Sequence, residues 1–169
     1  MLRKHSLLRS FPAGLFILAA TFILTVSGTS VKAQSQNIAS LEEVTQNTDP
    51  IFHNYKGVSI GMNANEVRHK LGDPKDSSGG QDFYSFSEKE VAQIFYDNAQ
   101  RVKAISITYM GEKSGAPDCK TVLGLEIKAT VDGAMRKLIR YPKAGYWVSY
   151  NYSGGDEPVT TVTLQKIVQ

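Results

Sequence analysis

Apolar positions between residues 57 and 74 follow two periods in succession. Val58 and Ile60 flank Ser59 in the alternation of a very short strand. Ala64, Val67 and Leu71 then recur at the spacing of one helical face. Polar residues and breakers mark the ends of that helix. Asn63 can cap its N-terminus, and Glu66, three residues on, can complete a capping box. Gly72 suits the left-handed residue that closes a helix, and Pro74 forbids continuation. A helix with one narrow apolar stripe needs a surface to sit on. Three period-2 segments follow and supply it: residues 83–86, 91–96 and 102–109, the last alternating Lys103, Ile105, Ile107 and Tyr109 with Ala104, Ser106 and Thr108. Ser87-Glu88-Lys89 and Asp97-Asn98-Ala99-Gln100 are natural turns between them. The pattern predicts a helix followed by a three-stranded antiparallel meander.

After a Gly-, Ser- and Pro-containing linker at residues 111–122, the pattern starts again. At an offset of 67 positions, Gly124-Leu125-Glu126-Ile127 aligns with Gly57-Val58-Ser59-Ile60, and Thr130, Asp132, Ala134, Lys137 and Leu138 align with Asn63, Asn65, Val67, Lys70 and Leu71. Val131, Ala134, Met135, Leu138 and Ile139 predict a second helix with a broader apolar face. Residues 146–152 and 159–167 read as two strands about the turn Gly154-Gly155-Asp156-Glu157-Pro158. The expected fold class is α+β: two tandem repeats of short helix plus antiparallel β-meander, residues 55–110 and 123–169, with helices packed on one face of the sheet. Upstream, residues 34–54 read as a mobile N-terminal segment. Ile38, Leu41 and Val44 allow at most one short amphipathic helix there, broken at Asp49-Pro50.

Composition adds a compartment. The 169 residues, 41% hydrophobic and 21% charged, suit one ordinary domain or two very small ones. Residues 1–33 differ from the rest: Arg3, Lys4 and Arg9 precede an apolar run over residues 11–26, and Val31-Lys32-Ala33 resembles a peptidase site. This predicts a signal peptide cut before Gln34 and export to the periplasm or the medium, with an uncleaved membrane anchor as the alternative. Four of the 19 basic residues lie in that leader and none of the 16 acidic ones, so the remainder carries 15 − 16 = −1. A nearly neutral chain gives no electrostatic signal for nucleic acid. The lone Cys119, in a polar stretch that reads as a loop, cannot form an internal disulfide, and stability must come from the core.

The spacing of Gly57, Gly61, Met62, Glu66, Val67, Leu71, Gly72 and Pro74, followed by Tyr84, Tyr96, Asp97, Arg101 and Val102, resembles the SmpA/OmlA (BamE-like) family of outer-membrane assembly lipoproteins. Two such units in tandem are similar to the β-lactamase-inhibitor-protein architecture. The resemblance implies helices on one face of an antiparallel sheet and a protein-binding, adaptor role in the bacterial cell envelope. The place of the family's lipid-bearing cysteine holds Gln34. The tandem arrangement without that anchor leaves a secreted inhibitor of an extracellular enzyme as the alternative.

Candidate chemistry is sparse. Gly57-Val58-Ser59-Ile60-Gly61 fits the hydrolase elbow G-x-S-x-G, but residues 53–56 make a poor core strand before it, so a serine hydrolase using Ser59 is a remote reading. His53 and His69 lack metal-ligand spacing, and no phosphate-binding loop opens a helix; we expect no enzyme, metal or cofactor. Surfaces remain. Arg68, His69 and Lys70, with Arg136, Lys137 and Arg140, would line two helices facing an acidic partner or anionic lipid. In residues 146–152, Trp147 shares no face with Tyr146, Tyr150 and Tyr152. Tyrosine hydroxyls can meet water, so Trp147 is expected in the core and the three tyrosines on the open sheet face, as partner-binding residues together with Arg68 and Arg136.

Overall fold

A computed structural model describes residues 42–112 and 114–168. The proposed signal segment lies outside those residues. The elements are β1 (Glu42–Thr45), α1 (Ala64–Leu71), β2 (Asp76–Ser78), β3 (Gln81–Ser87), β4 (Glu90–Tyr96), β5 (Val102–Met110), α2 (Cys119–Leu123), β6 (Met135–Tyr141), β7 (Tyr146–Tyr152) and β8 (Val159–Lys166). All strands join one eight-stranded mixed sheet in the order β1-β6-β7-β8-β5-β4-β3-β2. Every pairing is antiparallel except that of β1 with β6.

The helix over residues 64–71 forms as its caps dictate. The Asn63 side chain accepts from the Asn65 N–H, and Glu66 accepts from the Asn63 N–H at 3.0 Å. Gly72, at φ +81°, ends the helix with its N–H on the Arg68 carbonyl. The preceding glycine motif also has a local cause. Tyr55 and Val58 exchange both backbone hydrogen bonds across Lys56 and Gly57, whose φ values are +48° and +80°. Positive φ at both central residues is the type I′ hairpin, for which glycine is suited at no steric cost.

Alternation along the strands selects the core. Tyr84, Ala92, Ile94, Tyr96, Ile105, Ile107, Tyr109, Ile139, Tyr141, Tyr146, Val148, Tyr150, Val162 and Leu164 are buried and belong to one hydrophobic cluster. Ala64 and Val67 of α1 join it, as do Cys119, Val122 and Leu123 of α2. Removing a Val or Leu side chain from water is worth about 1.5–3 kcal/mol, so this cluster holds the short helices, which have too few turns to persist alone.

The second helix expected near residues 130–139 does not exist. Shifting α1 by 67 positions gives residues 131–138, and these span a tight turn and most of β6. Gly133 stands at φ +80°, its N–H on the Thr130 carbonyl at 2.9 Å, and the Thr130 N–H reaches the Ala134 carbonyl at 2.8 Å. A left-handed glycine inside the would-be helix stops it. Residues 135–141 then alternate as a strand, with Ile139 and Tyr141 buried. The short helix of this half lies earlier, beginning in the stretch read as linker and ending at the first residue of the expected repeat, with Asp118 as its N-cap and Gly124 as its left-handed end. Within residues 34–54, the described part also departs from expectation: residues 42–45 are a strand, not a helix, and Pro50 is buried.

Candidate binding surface

The two faces of the sheet differ in chemistry. On the covered face, one charged group is sealed in. Asp82 of β3 is fully buried, and its carboxylate accepts from Arg68 Nε and Nη2 at 2.9 Å each, from Ser77 Oγ at 2.7 Å and from the Tyr96 hydroxyl at 2.8 Å. Burial pushes the Asp82 carboxyl upward, and the hydrogen bonds from Arg68, Ser77 and Tyr96 outweigh it, leaving the pKa below the usual carboxylate value. Tyr84 has a buried hydroxyl without a hydrogen-bond partner among the described residues, and burial raises its pKa to about 12. At the sheet margin the Tyr55 hydroxyl donates to Glu90 at 2.7 Å, while Lys56 pairs with Glu90 at 3.3 Å and lies 4.7 Å from the Phe86 ring centroid.

The opposite face is built by residues that pair directly across strands and therefore point the same way. One row runs Leu138, Ser149, Thr163, Ser106, Gln93 and Phe83; the next runs Arg140, Trp147, Gln165, Ala104 and Phe95. In the second row two half-buried aromatics, Trp147 and Phe95, are three strand spacings apart, about 14 Å. Between them stand the amide of Gln165 and the small Ala104. A groove of about 850 Å³ opens here, lined by Phe95, Ala104, Gln93, Gln165, Ser106 and Thr163, with Ile167 and Val168 beside them. Lys103, Lys166 and Asp97 stand at its rim. The Asp97 carboxylate is engaged by the backbone N–H groups of Arg101 and Ala99, at 2.9 Å each, which hold it below the usual range. The lysines give the rim its positive character.

The residues singled out from sequence fall in several places. Tyr146 and Tyr150 are only 8% and 3% exposed and belong to the core, and Trp147 lies on the open face, so the assignment of faces is reversed. The cause is that the covering segments lie on the tyrosine side, which no local preference of a hydroxyl for water can determine. Tyr152 is half-buried and lines, with Tyr150, a smaller pocket of about 340 Å³ against residues 111–112 and 114–118. Arg68 is committed to Asp82. Arg136 is exposed, on β6 and not on a helix, so the two cationic clusters do not form paired helical faces. Of the family-like motif, Val67 is buried, Met62 and Leu71 pack against the core, Pro74 is half-buried, and Gly57, Gly61 and Gly72 have positive φ; these positions build the fold. Ser59 sits in a turn five residues before α1, not at the end of a buried strand as a nucleophile elbow requires. Groups of three or more metal-ligating side chains are absent among the described residues, and no helix there is long and apolar enough to cross a membrane.

Sequence reasoning missed Asp82, Phe95 and Gln165. The only signal for the groove was the alternation that put Phe95 and Gln93 opposite Ile94. Comparison with protein-family models, with curated proteins and with solved structures gave no match.

Proposed function

We propose that this chain is an exported, non-enzymatic binding module of the bacterial cell envelope that docks a partner protein on the open face of its sheet. The observation that carries the reading is the groove over β4, β5 and β8: an apolar floor with amides and hydroxyls, and lysines at the rim. A rigid sheet presenting aromatic anchors among adaptable polar groups suits recognition of a protein segment. Lys103 and Lys166 favour a segment with carboxylates beside its apolar side chains. Export rests on the leader sequence, and the adaptor role on the resemblance to BamE-like proteins. A tandem origin gains support at a different spacing: β3, β4 and β5 begin 54, 56 and 57 positions before β6, β7 and β8, and each trio follows a short helix. In this reading the last strands of the two units, β5 and β8, meet at the centre of the sheet.

The test is capture of partners from envelope extract and culture medium by the wild-type chain, Phe95→Ala and the Lys103→Glu/Lys166→Glu double variant. A partner held by the wild type and lost by both variants, with circular dichroism unchanged, supports the groove. Equal recovery by all three proteins sinks it. A partner found only in the medium moves the role to that of a secreted inhibitor.

A further inference from the structure

The β1 strand is unlike its neighbours. It is the sheet's one parallel strand, it comes from far upstream, and it closes an edge that β6 would otherwise leave unpaired. Unpaired edges invite extended segments to add as a further strand. Glu43 and Thr45 are exposed, Val44 is half-buried, and the polar stretch Gln46-Asn47-Thr48-Asp49 separates the strand from buried Pro50. An exposed ion pair such as Glu43–Arg140 adds about 0–1 kcal/mol.

Charge complements the backbone pairing. Three of the seven residues of β6 are cations, Arg136, Lys137 and Arg140. Glu42 stands opposite Lys137 in register, and Glu43 is opposite Leu138, between Arg136 and Arg140, with its carboxylate on Arg140. The occupant's charge thus complements the edge at Glu43, and Glu42 stands in register with a second cation of β6.

We propose that the outer edge of β6 is an acceptor site for an extended acidic segment of a partner protein, which residues 42–45 occupy in cis. The site is separate from the groove. Its occupant adds parallel to β6, donates main-chain hydrogen bonds as the Gln46 N–H does to the Arg140 carbonyl at 2.9 Å, and sets carboxylates against Arg140 and Lys137. Residues 42–45 then act as a built-in competitor, so uptake of a partner requires β1 to leave.

A fluorescent peptide of residues 40–47 reads this out by anisotropy against the full chain. In Val44→Pro the N–H two residues before that of Gln46, on the same side of β1, is removed. With the tethered competitor weakened, the peptide binds Val44→Pro at least about 10-fold tighter than the wild type. Adding Arg140→Glu to that variant, or replacing both peptide glutamates by lysine, reverses the gain. Trp147 fluorescence and circular dichroism confirm that each variant is folded; if Val44→Pro is not, Glu43→Lys replaces it as the weakened strand. Equal binding to wild type and weakened variant, or equal binding of the charge-reversed peptide, overturns the proposal. A wild-type dimer in sedimentation, with no peptide uptake by any variant, overturns the partner in favour of exchange between copies.

Discussion

Replacing Arg68 by alanine gives the most informative perturbation of the covered face. The substitution removes two of the four hydrogen bonds to Asp82 and leaves a carboxylate of zero exposure with only Ser77 and Tyr96. Breaking a buried pair by deleting one partner costs about 3–5 kcal/mol, and the remaining donors together with the 38% exposure of Arg68 place this case near the lower end, about 3 kcal/mol at pH 7. The pH dependence separates this cause from lost packing. In the wild type the Asp82 pKa is depressed, so its contribution is full above the unfolded carboxyl pKa of about 3.9 and is lost as pH falls through the folded value. In Arg68→Ala, burial faces fewer opposing hydrogen bonds and the carboxyl pKa rises. Protonation then relieves the variant while it penalises the wild type. Urea unfolding followed by Trp147, the single tryptophan, should show the difference shrinking from pH 7 toward pH 3. A difference that stays constant over that range would refute the electrostatic argument.

Three further outcomes follow from the same structure. Tyr84→Phe removes a buried hydroxyl without a partner among the described residues, so it should leave the unfolding midpoint unchanged or raise it slightly. Tyr150→Ala empties a core position and should cost about 3–5 kcal/mol, whereas Trp147→Ala should preserve stability to within about 1 kcal/mol while weakening partner binding; the two swapped outcomes would restore the reversed assignment of faces. Asn63→Ala deletes one half of the capping box and should cost about 1 kcal/mol by denaturant unfolding, with no change in binding.

Elements whose cause is local were legible in the sequence. The first helix, its caps, the first meander and the last two strands all follow from breakers, caps and alternation within a few residues. Asp97-Asn98-Ala99-Gln100 turns as expected, with Asp97 accepting from Ala99 and Arg101 and Gln100 at φ +57°. The failures were of two physical kinds. For residues 130–141, a short apolar run fits a helix or a strand, and Asp132-Gly133 was the turn signal that decided it. For Tyr146, Trp147 and Tyr150, alternation gave two faces, but the choice between them depends on where α2 and residues 124–134 lie. The β1–β6 pairing has the same origin: its partners are far apart in sequence, and four residues carry too little pattern to announce a parallel edge strand.

Site-specific photo-crosslinking in the producing cells tests the working-surface claim most directly. A benzophenone amino acid at Thr163 stands on the open face, and one at His69 on the exposed side of α1 serves as control. A discrete adduct is expected from Thr163 and none from His69, with the Thr163 adduct abolished by Lys103→Glu/Lys166→Glu. An adduct from His69 alone, or a Thr163 adduct indifferent to the lysines, would contradict it.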